Sequence, residues 1–496
     1  MPPATGGEPA GPTTSGPTTG GPGAQDSSAP GVRGPFSPGV RGTTLPLIAL
    51  ITLVAFETMA VATAMPRAAA DLGAVRSYGL AFSSFLTASM LGTVLAGSWC
   101  DVRGPRAPIA AGAALFVLGQ LVCTVAPTYA VLLLGRLAAG AGGGLVVVAI
   151  YVVVGSTYSD ALRPKVFGWI SAAWVLPGVV GPALAGAIAD TVGWRWVFAC
   201  VVPVAVVVTV LVLPRIGASA GPADAATAAR AAGRVRRGLV LAVGAGALQV
   251  GAEGLTDGGL LHPGLLAAGV VAVALALPGL LPPGTLRGAP GLPSVIAVRG
   301  LFTGAFFGIE AFVPLMLVTE RGLSASQAGL ALTGATLGWT AATTVQTRNL
   351  ARWRRESLLV LGGVVLAVAG LALSAVVLSG VAGWWVLPVW ALAGFGMGFG
   401  VSTTSVLTLR LAAPAERGVA SSALQLSDNL GSVLGIAVSG SVFAALHDPG
   451  HDATLFAGLY AGLSVLALAA ALVAATGRAP RPVRDSGPAS STVEGP

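Results

Sequence analysis

The sequence predicts an all-α protein that crosses a lipid bilayer many times, and three observations predict it. Of its 496 residues, 54% are hydrophobic and only 9% charged, with a mean hydropathy of +0.83; soluble domains carry about a quarter charged residues. The apolar residues fall in continuous runs of about 20, the length a membrane helix needs. The strands of a transmembrane barrel would instead alternate in ~10-residue pieces. The basic residues are also sorted. With the N-terminus in the cytoplasm and the spans alternating, 21 of the 27 Lys and Arg fall on the cytoplasmic side and four (Arg67, Arg76, Arg195, Arg321) outside. Arg136 and Arg299 lie within spans. That split follows the positive-inside rule and accounts for the net charge of +8 without nucleic acid.

The elements follow in order. Residues 1–43 are rich in Gly, Pro, Ser and Thr, cannot bury a core, and are expected to be a disordered cytoplasmic tail, as are residues 478–496. Six spans form a first bundle within 44–214: 44–65, 79–98, 107–125, 129–154, 166–189 and 196–214. A polar, basic linker, 215–237, leads to two further spans, 238–256 and 262–282, so that residues 215–294 form a connecting unit. Six more spans make a second bundle within 295–477: 295–318, 326–346, 357–379, 383–406, 419–445 and 453–476. Fourteen spans put both termini in the cytoplasm, and so do twelve if both middle runs are lost; thirteen would place the positive loops of the second bundle outside. Cys100, Cys123 and Cys200 lie in or beside apolar runs without metal spacing. His447 and His451 sit in an HDPGHD stretch that reads as a polar loop, so no metal site is expected.

Charge gathers at 97-GSWCDVRGPR-106, the short loop between spans 2 and 3. Glycines permit a tight turn there, and Asp101 can pair with an arginine or sit at a helix N-terminus; a plain solvated loop is the alternative. Gly97, Asp101, Gly104 and Arg106 resemble the G-x-x-x-D-x-x-G-x-R signature of the major facilitator superfamily. The usual basic residue after the Asp is Val102 here, with Arg103 one place later. The resemblance implies a conformational latch between two six-helix halves. The matching loop of the second half, 347-TRNLARWRRE-356, keeps the positive charge and loses the Gly and Asp, so the latch is expected to be one-sided. In span 4, 136-RLAAGAGGG-144 is similar to the family's R-x-x-x-G-x-G motif, which implies a part for Arg136 in proton coupling. In span 5, 178-GVVGPALAG-186 resembles the antiporter signature G-x-x-x-G-P-x-x-x-G, carried by Gly178, Gly181, Pro182 and Gly186. In span 1, 57-ETMAVATAMP-66 resembles the fourteen-spanner drug:proton antiporters, with Glu57 where Asp is usual; 193-GWRWVF-198 resembles the same group.

Ionisable residues inside a bilayer cost about 2.5–3.5 kcal/mol on insertion scales and mark pathways or proton relays. Glu57, Glu253, Glu310 and Asp428 fall inside spans. Glu57 is read as a proton or cation site and as a partner for Arg136, which needs one. Helical spacing aligns Glu310 with Phe306, Phe302 and Arg299, a face suited to a lipophilic cation through charge and cation–π attraction; ordinary aromatic packing is the alternative. Ser421, Gln425, Asp428, Ser432, Gly435 and Ser439 recur at 3–4 spacing as one polar stripe. It faces either a water-filled cavity or, through Gly431 and Gly435, a neighbouring helix. Glu253 belongs to an added helix, peripheral to the transport path in the family, with Asp257 suggesting a helix end. The run 394-GFGMGFG-400 mimics a nucleotide-binding loop but lacks the strand and helix such a loop needs, so close helix packing is expected.

Together these readings anticipate a secondary transporter rather than an enzyme. It would be a monomer in a bacterial plasma membrane that exchanges protons for small amphipathic molecules such as drugs or antibiotics. Glu57, Arg136, Glu310 and Asp428 would couple protons, and Phe302, Phe306, Glu310, Gln425 and Asp428 would bind substrate. No cofactor is expected, since no Walker motif appears and the proton gradient would supply the drive. The alternative on the same fold is proton-coupled import of a nutrient or metabolite.

Overall fold

The computed structural model describes residues 34–159, 162–217, 225–256, 258–348, 353–413 and 416–477. Most of the first expected tail, all of the second, and Asp257 lie outside the described residues. Among the described residues there is no strand. The helices are α1 (Arg41–Asp71), α2 (Leu80–Arg103), α3 (Arg106–Val125), α4 (Tyr129–Thr157), α5 (Arg163–Thr191), α6 (Arg195–Ala199), α7 (Val201–Val212) and α8 (Ala225–Glu253). They continue as α9 (Leu261–Ala276), α10 (Leu292–Glu310), α11 (Val313–Thr319), α12 (Ala325–Arg348), α13 (Arg355–Leu378), α14 (Val386–Leu411), α15 (Arg417–Leu446) and α16 (Ala453–Thr476).

Twelve segments among the described residues are helical, long and apolar enough to cross a membrane. They are not the twelve of the sequence alternative. The hydropathy of α9 suffices, while α8 and α12 fall short. α8 starts at Ala225, well inside the stretch expected as a polar linker, because AATAARAAGRVRR is rich in strong helix formers. α12 is diluted by Gly, Thr, Ser and Gln, yet it packs along both α14 and α5. Small polar residues lower hydropathy and at the same time let helix backbones approach closely.

Two expected spans are broken. The sixth splits into α6 and α7 at Cys200. The first span of the second half divides after Glu310, and α11 restarts with a proline in its first turn, where the missing N–H costs nothing. α1 runs from Arg41 to Asp71, so its first turn occupies residues expected in the tail.

The helices form two bundles. In the first, α4 packs on α2 and α3, and α1 on α5 and α7; in the second, α12 packs on α14, α13 on α14 and α16, and α10 on α15 and α16. Backbone-close glycines set these contacts. A Cβ on Gly394 would lie 1.9 Å from Ala335 O, and one on Gly338 would lie 1.8 Å from Ala391 O. The GFGMGFG run is thus a packing ladder, as its apolar surroundings imply.

Two seams join the bundles, α5 against α12 and α2 against α15. α1 begins and α16 ends at one face of the bundle, here the terminal face. At the opposite, far face the seams are tied. Asp190 at the end of α5 accepts from Ala325 N (3.2 Å), Ser326 N (2.9 Å) and Ser326 Oγ (2.6 Å), and pairs with Arg67 at 2.6 Å. A carboxylate is favourable at a helix N-terminus. α12 also carries its own capping box, with Gln327 Oε1 accepting from Ser324 N and Ser324 Oγ from Gln327 N. In the other seam Arg76 Nη2 donates to Ala444 O at 3.0 Å, and the rings of Tyr78 and Phe312 lie 5.4 Å apart. Toward the terminal face, Thr340 and Thr344 of α12 and Ser421, Ser422 and Gln425 of α15 are exposed.

Candidate functional site

Besides the far-face Arg67–Asp190 tie, each bundle holds a carboxylate–arginine pair in its interior among the described residues. In the first, Glu57 of α1 pairs with Arg136 of α4, and both are sealed, at 1% and 2% exposure. Arg136 Nε donates to Ala81 O at 2.9 Å, and its guanidinium lies 4.5 Å from the centre of the Phe85 ring, both on α2. The second carboxyl oxygen of Glu57 is buried without a hydrogen-bond partner, as are both amide atoms of Gln120 on α3. Opposite charges brought together offset part of each desolvation cost, but the free oxygen leaves the carboxylate incompletely satisfied. The pairing expected for Arg136 is present; Gln120, a single polar residue in an apolar run, was not singled out.

In the second bundle Arg299 of α10 pairs with Asp428 of α15. Arg299 also donates to Val401 O (2.9 Å) and Thr404 Oγ1 (3.1 Å) of α14, and Gln425 Nε2 donates to Asp428 Oδ2 at 3.2 Å. This pair is more open, its side chains retaining 10% and 19% of their exposure. The polar stripe on α15 divides into two parts. Its terminal-face part, Ser421 to Asp428, is exposed or partly so, whereas Gly431 and Gly435 press on the Gly300 and Gly304 carbonyls of α10.

The aromatic face expected beneath Glu310 is built differently. Phe302 is fully buried and packs against Gly400 and Gly362 of its own bundle. Phe306 stacks on Trp390, with ring centres 5.0 Å apart. Arg299 turns to Asp428. Glu310, in the last turn of α10, has no hydrogen bond or ion pair among the described residues and joins neither pair. The four expected coupling residues thus divide into two pairs' members and one separate carboxyl. One-helix spacing could not foresee this, because partners are chosen between helices.

The loop expected as a latch between the halves is tied elsewhere. Asp101 pairs with Arg234 of α8 at 2.5 Å, with both side chains about half exposed. Arg103 and Arg106 are exposed. Gly104 has a positive φ of 76° and ends α2, while a Cβ on Gly97 would meet nothing within 4 Å. The span-5 motif lies in the α5–α12 seam. A Cβ on Gly178 would come to 2.6 Å of Thr336 Oγ1, and one on Gly186 to 2.4 Å of Ser326 Cα. Pro182 O lies 2.3 Å from where a Gly329 Cβ would be, and Gly181 faces Phe56 of α1. Among the described residues, no group of three or more His, Cys, Asp and Glu could hold a metal ion.

This architecture, two helical bundles joined by two seams with charge pairs between their helices, is that of a multi-pass membrane protein. Residues 47–436 match the family model of the Major Facilitator Superfamily, and the chain belongs to that family. It is 26% identical over 394 residues to a "Probable multidrug-efflux transporter" of Mycobacterium tuberculosis, covering 76% of this chain and 82% of that one. It is 25% identical over 408 residues to "Multidrug resistance protein 3" of Bacillus subtilis, covering 78% and 76%. It is 23% identical over 410 residues to "Multidrug efflux pump SdrM" of Staphylococcus aureus, covering 80% and 88%. In fold it is similar to a solved POT family transporter, with a TM-score of 0.67 at 13% identity over 87% of this chain and 94% of that one. It is also similar to a D-xylose-proton symporter, with a TM-score of 0.61 at 15% identity over 88% and 98%.

Proposed function

We propose that the chain is a proton-coupled exporter of small amphipathic molecules, such as drugs or antibiotics. It works as a monomer in the bacterial inner membrane, with fourteen spans and both termini in the cytoplasm. Its units are the 44–214 bundle, the 215–294 linker with two added helices, and the 295–477 bundle. The observation that carries the reading is the sealed Glu57–Arg136 pair, whose carboxyl keeps one buried oxygen without a partner. A proton arriving there removes the charge, frees Arg136 to rely on Ala81 O and Phe85, and loosens α1 from α4. The preferred arrangement of the halves changes accordingly.

Substrate would bind from the terminal face, where Gln425 and Asp428 are accessible, and would leave once the far-face ties open. The far-face closure described above corresponds to the inward-facing state of such a cycle. The efflux relatives and the glycine-built α5–α12 seam favour export. One entering proton supplies about 2.3 kcal/mol per 100 mV, and each pH unit adds ~1.4 kcal/mol. Together they sustain a gradient of several hundredfold for a neutral substrate, at about 1.4 kcal/mol per tenfold.

Everted vesicles carrying the protein, energised and followed with a pH-sensitive dye, test this reading. Adding lipophilic cations or neutral antibiotics should release protons, and Glu57→Gln should abolish the release. Drug movement indifferent to both pH gradient and potential would sink it.

A further inference from the structure

Glu253, the last residue of α8, lies at the α2–α15 seam between the bundles. α8 is fastened along α2. Ser98 Oγ donates to Ala231 O at 3.4 Å, Gln249 Nε2 donates to Thr87 Oγ1 at 2.8 Å, and Arg234 pairs with Asp101. A Cβ on Gly238 would come to 2.7 Å of Val94. Held in this way, α8 delivers its last residue into the far end of the α2–α15 seam. Gly79, at the start of α2, and Gly440 of α15 face each other there. A Cβ on Gly79 would lie 2.9 Å from Gly440 Cα and 3.3 Å from Glu253 Oε1, and one on Gly440 would lie 2.9 Å from that same oxygen. The other oxygen, Oε2, is buried without a hydrogen-bond partner.

A carboxylate set partly buried into the seam, with one oxygen shut away from water and unpaired, carries a desolvation cost that a bound proton removes. Opening the seam admits water and lifts that cost. Proton occupancy and seam closure are therefore linked, since each state of the seam prefers one form of the carboxyl.

We propose that Glu253 is the proton-binding gate residue of the far face. It is protonated while the α2–α15 seam is closed and releases its proton as the seam opens, so that the added helix pair takes part in the transport cycle. Other titratable or charged groups on the surrounding segments are Arg76, Tyr78, Tyr129, His262 and His447. Arg76 is engaged by Ala444 O, Tyr129 by the Ser77 and Tyr78 carbonyls, and His447 by Asp452. His262 of α9 lies against Gly254, with Nδ1 buried and unpartnered, and is the group a control must address. The inference rests on the transport reading only for the use the cycle makes of the gate.

The test is accessibility of a cysteine at Ala444, which is 4% exposed in the closed seam, in protein whose Cys100, Cys123 and Cys200 are replaced. A membrane-impermeant maleimide is applied from each side of the membrane without drug. Labelling from the far face, divided at each pH by the rate of the same maleimide with a free thiol, should rise about tenfold between about pH 5.5 and about pH 8.5 in the parent. Glu253→Gln should stay protected throughout, and His262→Gln should follow the parent. Gly440→Ala, which drives a methyl toward Oε1, should label at the lower pH. Glu253→Gln responding to pH like the parent, or a parent without a pH response, overturns the proposal. Should Glu253→Gln fail to reach the membrane, unchanged protection in Gly440→Ala overturns it instead. A parent that releases no protons on drug addition yet keeps this labelling pattern refutes the antiport reading alone.

Discussion

Glu57 and Arg136 share a dry pocket in which each is the other's main compensation. Removing one partner from a buried pair costs about 3–5 kcal/mol, because the survivor keeps its desolvation penalty. Arg136→Gln should therefore lower the unfolding midpoint in detergent more than the double variant Glu57→Gln/Arg136→Gln. Equal losses would show that the pair is solvated in a way its burial contradicts. Asp428 is different, being partly open and braced by Gln425. Asp428→Asn keeps the shape and removes the charge, so transport of cationic substrates should fall about tenfold or more while neutral ones change little, as expected for loss of about 1–2 kcal/mol of charge-assisted binding. Uptake assays with a matched cationic and neutral pair check this. The first pair was legible in the sequence, because a deep arginine demands a carboxylate and Glu57 was the available one. The second was not, because helical spacing assigned Arg299 to the face of Glu310, and only the packing of α10 on α15 turns it to Asp428.

Among the elements, the glycines divide by what faces them. Gly394 of α14 meets Ala335 O of α12 where its side chain would be, so Gly394→Val should destabilise by about 1–3 kcal/mol or more through overpacking. Gly97 has open space. Gly97→Ala should be neutral within about 0.5 kcal/mol, whereas Gly104→Ala, forced to a positive φ, should cost about 1 kcal/mol or more. Thermal unfolding of the three variants separates these cases, and a Gly97→Ala loss equal to that of Gly104→Ala would contradict the geometry. The long apolar helices were legible from hydropathy alone. The extent of α8 was not, because arginines hide a helix that alanines promote. The break after Glu310 was equally hidden, since Pro314 in an apolar run signals a possible restart but does not fix where the helix yields.

For the whole molecule, closure of the far face depends on a few ties, with Asp190 holding the first turn of α12 and Arg67 at once. Asp190→Ala should shift the population toward the open far face, about tenfold if some 1.4 kcal/mol of tie is lost. It should be read as faster labelling of a cysteine at Ala444 at every pH. Labelling unchanged from the parent would mean that apolar contact alone keeps the seam shut. The multi-pass helical class was legible from hydropathy, whereas the tying of the halves depends on residues at helix ends, such as Asp190 and Arg76, that look like ordinary loop polarity in a single sequence.

The position of α8 has a consequence for the lipid around the protein. The two bundles make two slits toward the surrounding acyl chains, and α8 lies along α2 and α15, covering one of them. Among the described residues the α5–α12 slit has no such cover. The two flanks of the perimeter are therefore unlike. The lipid meets a third helix on one flank and, on the other, the glycines of α5 packed directly against α12.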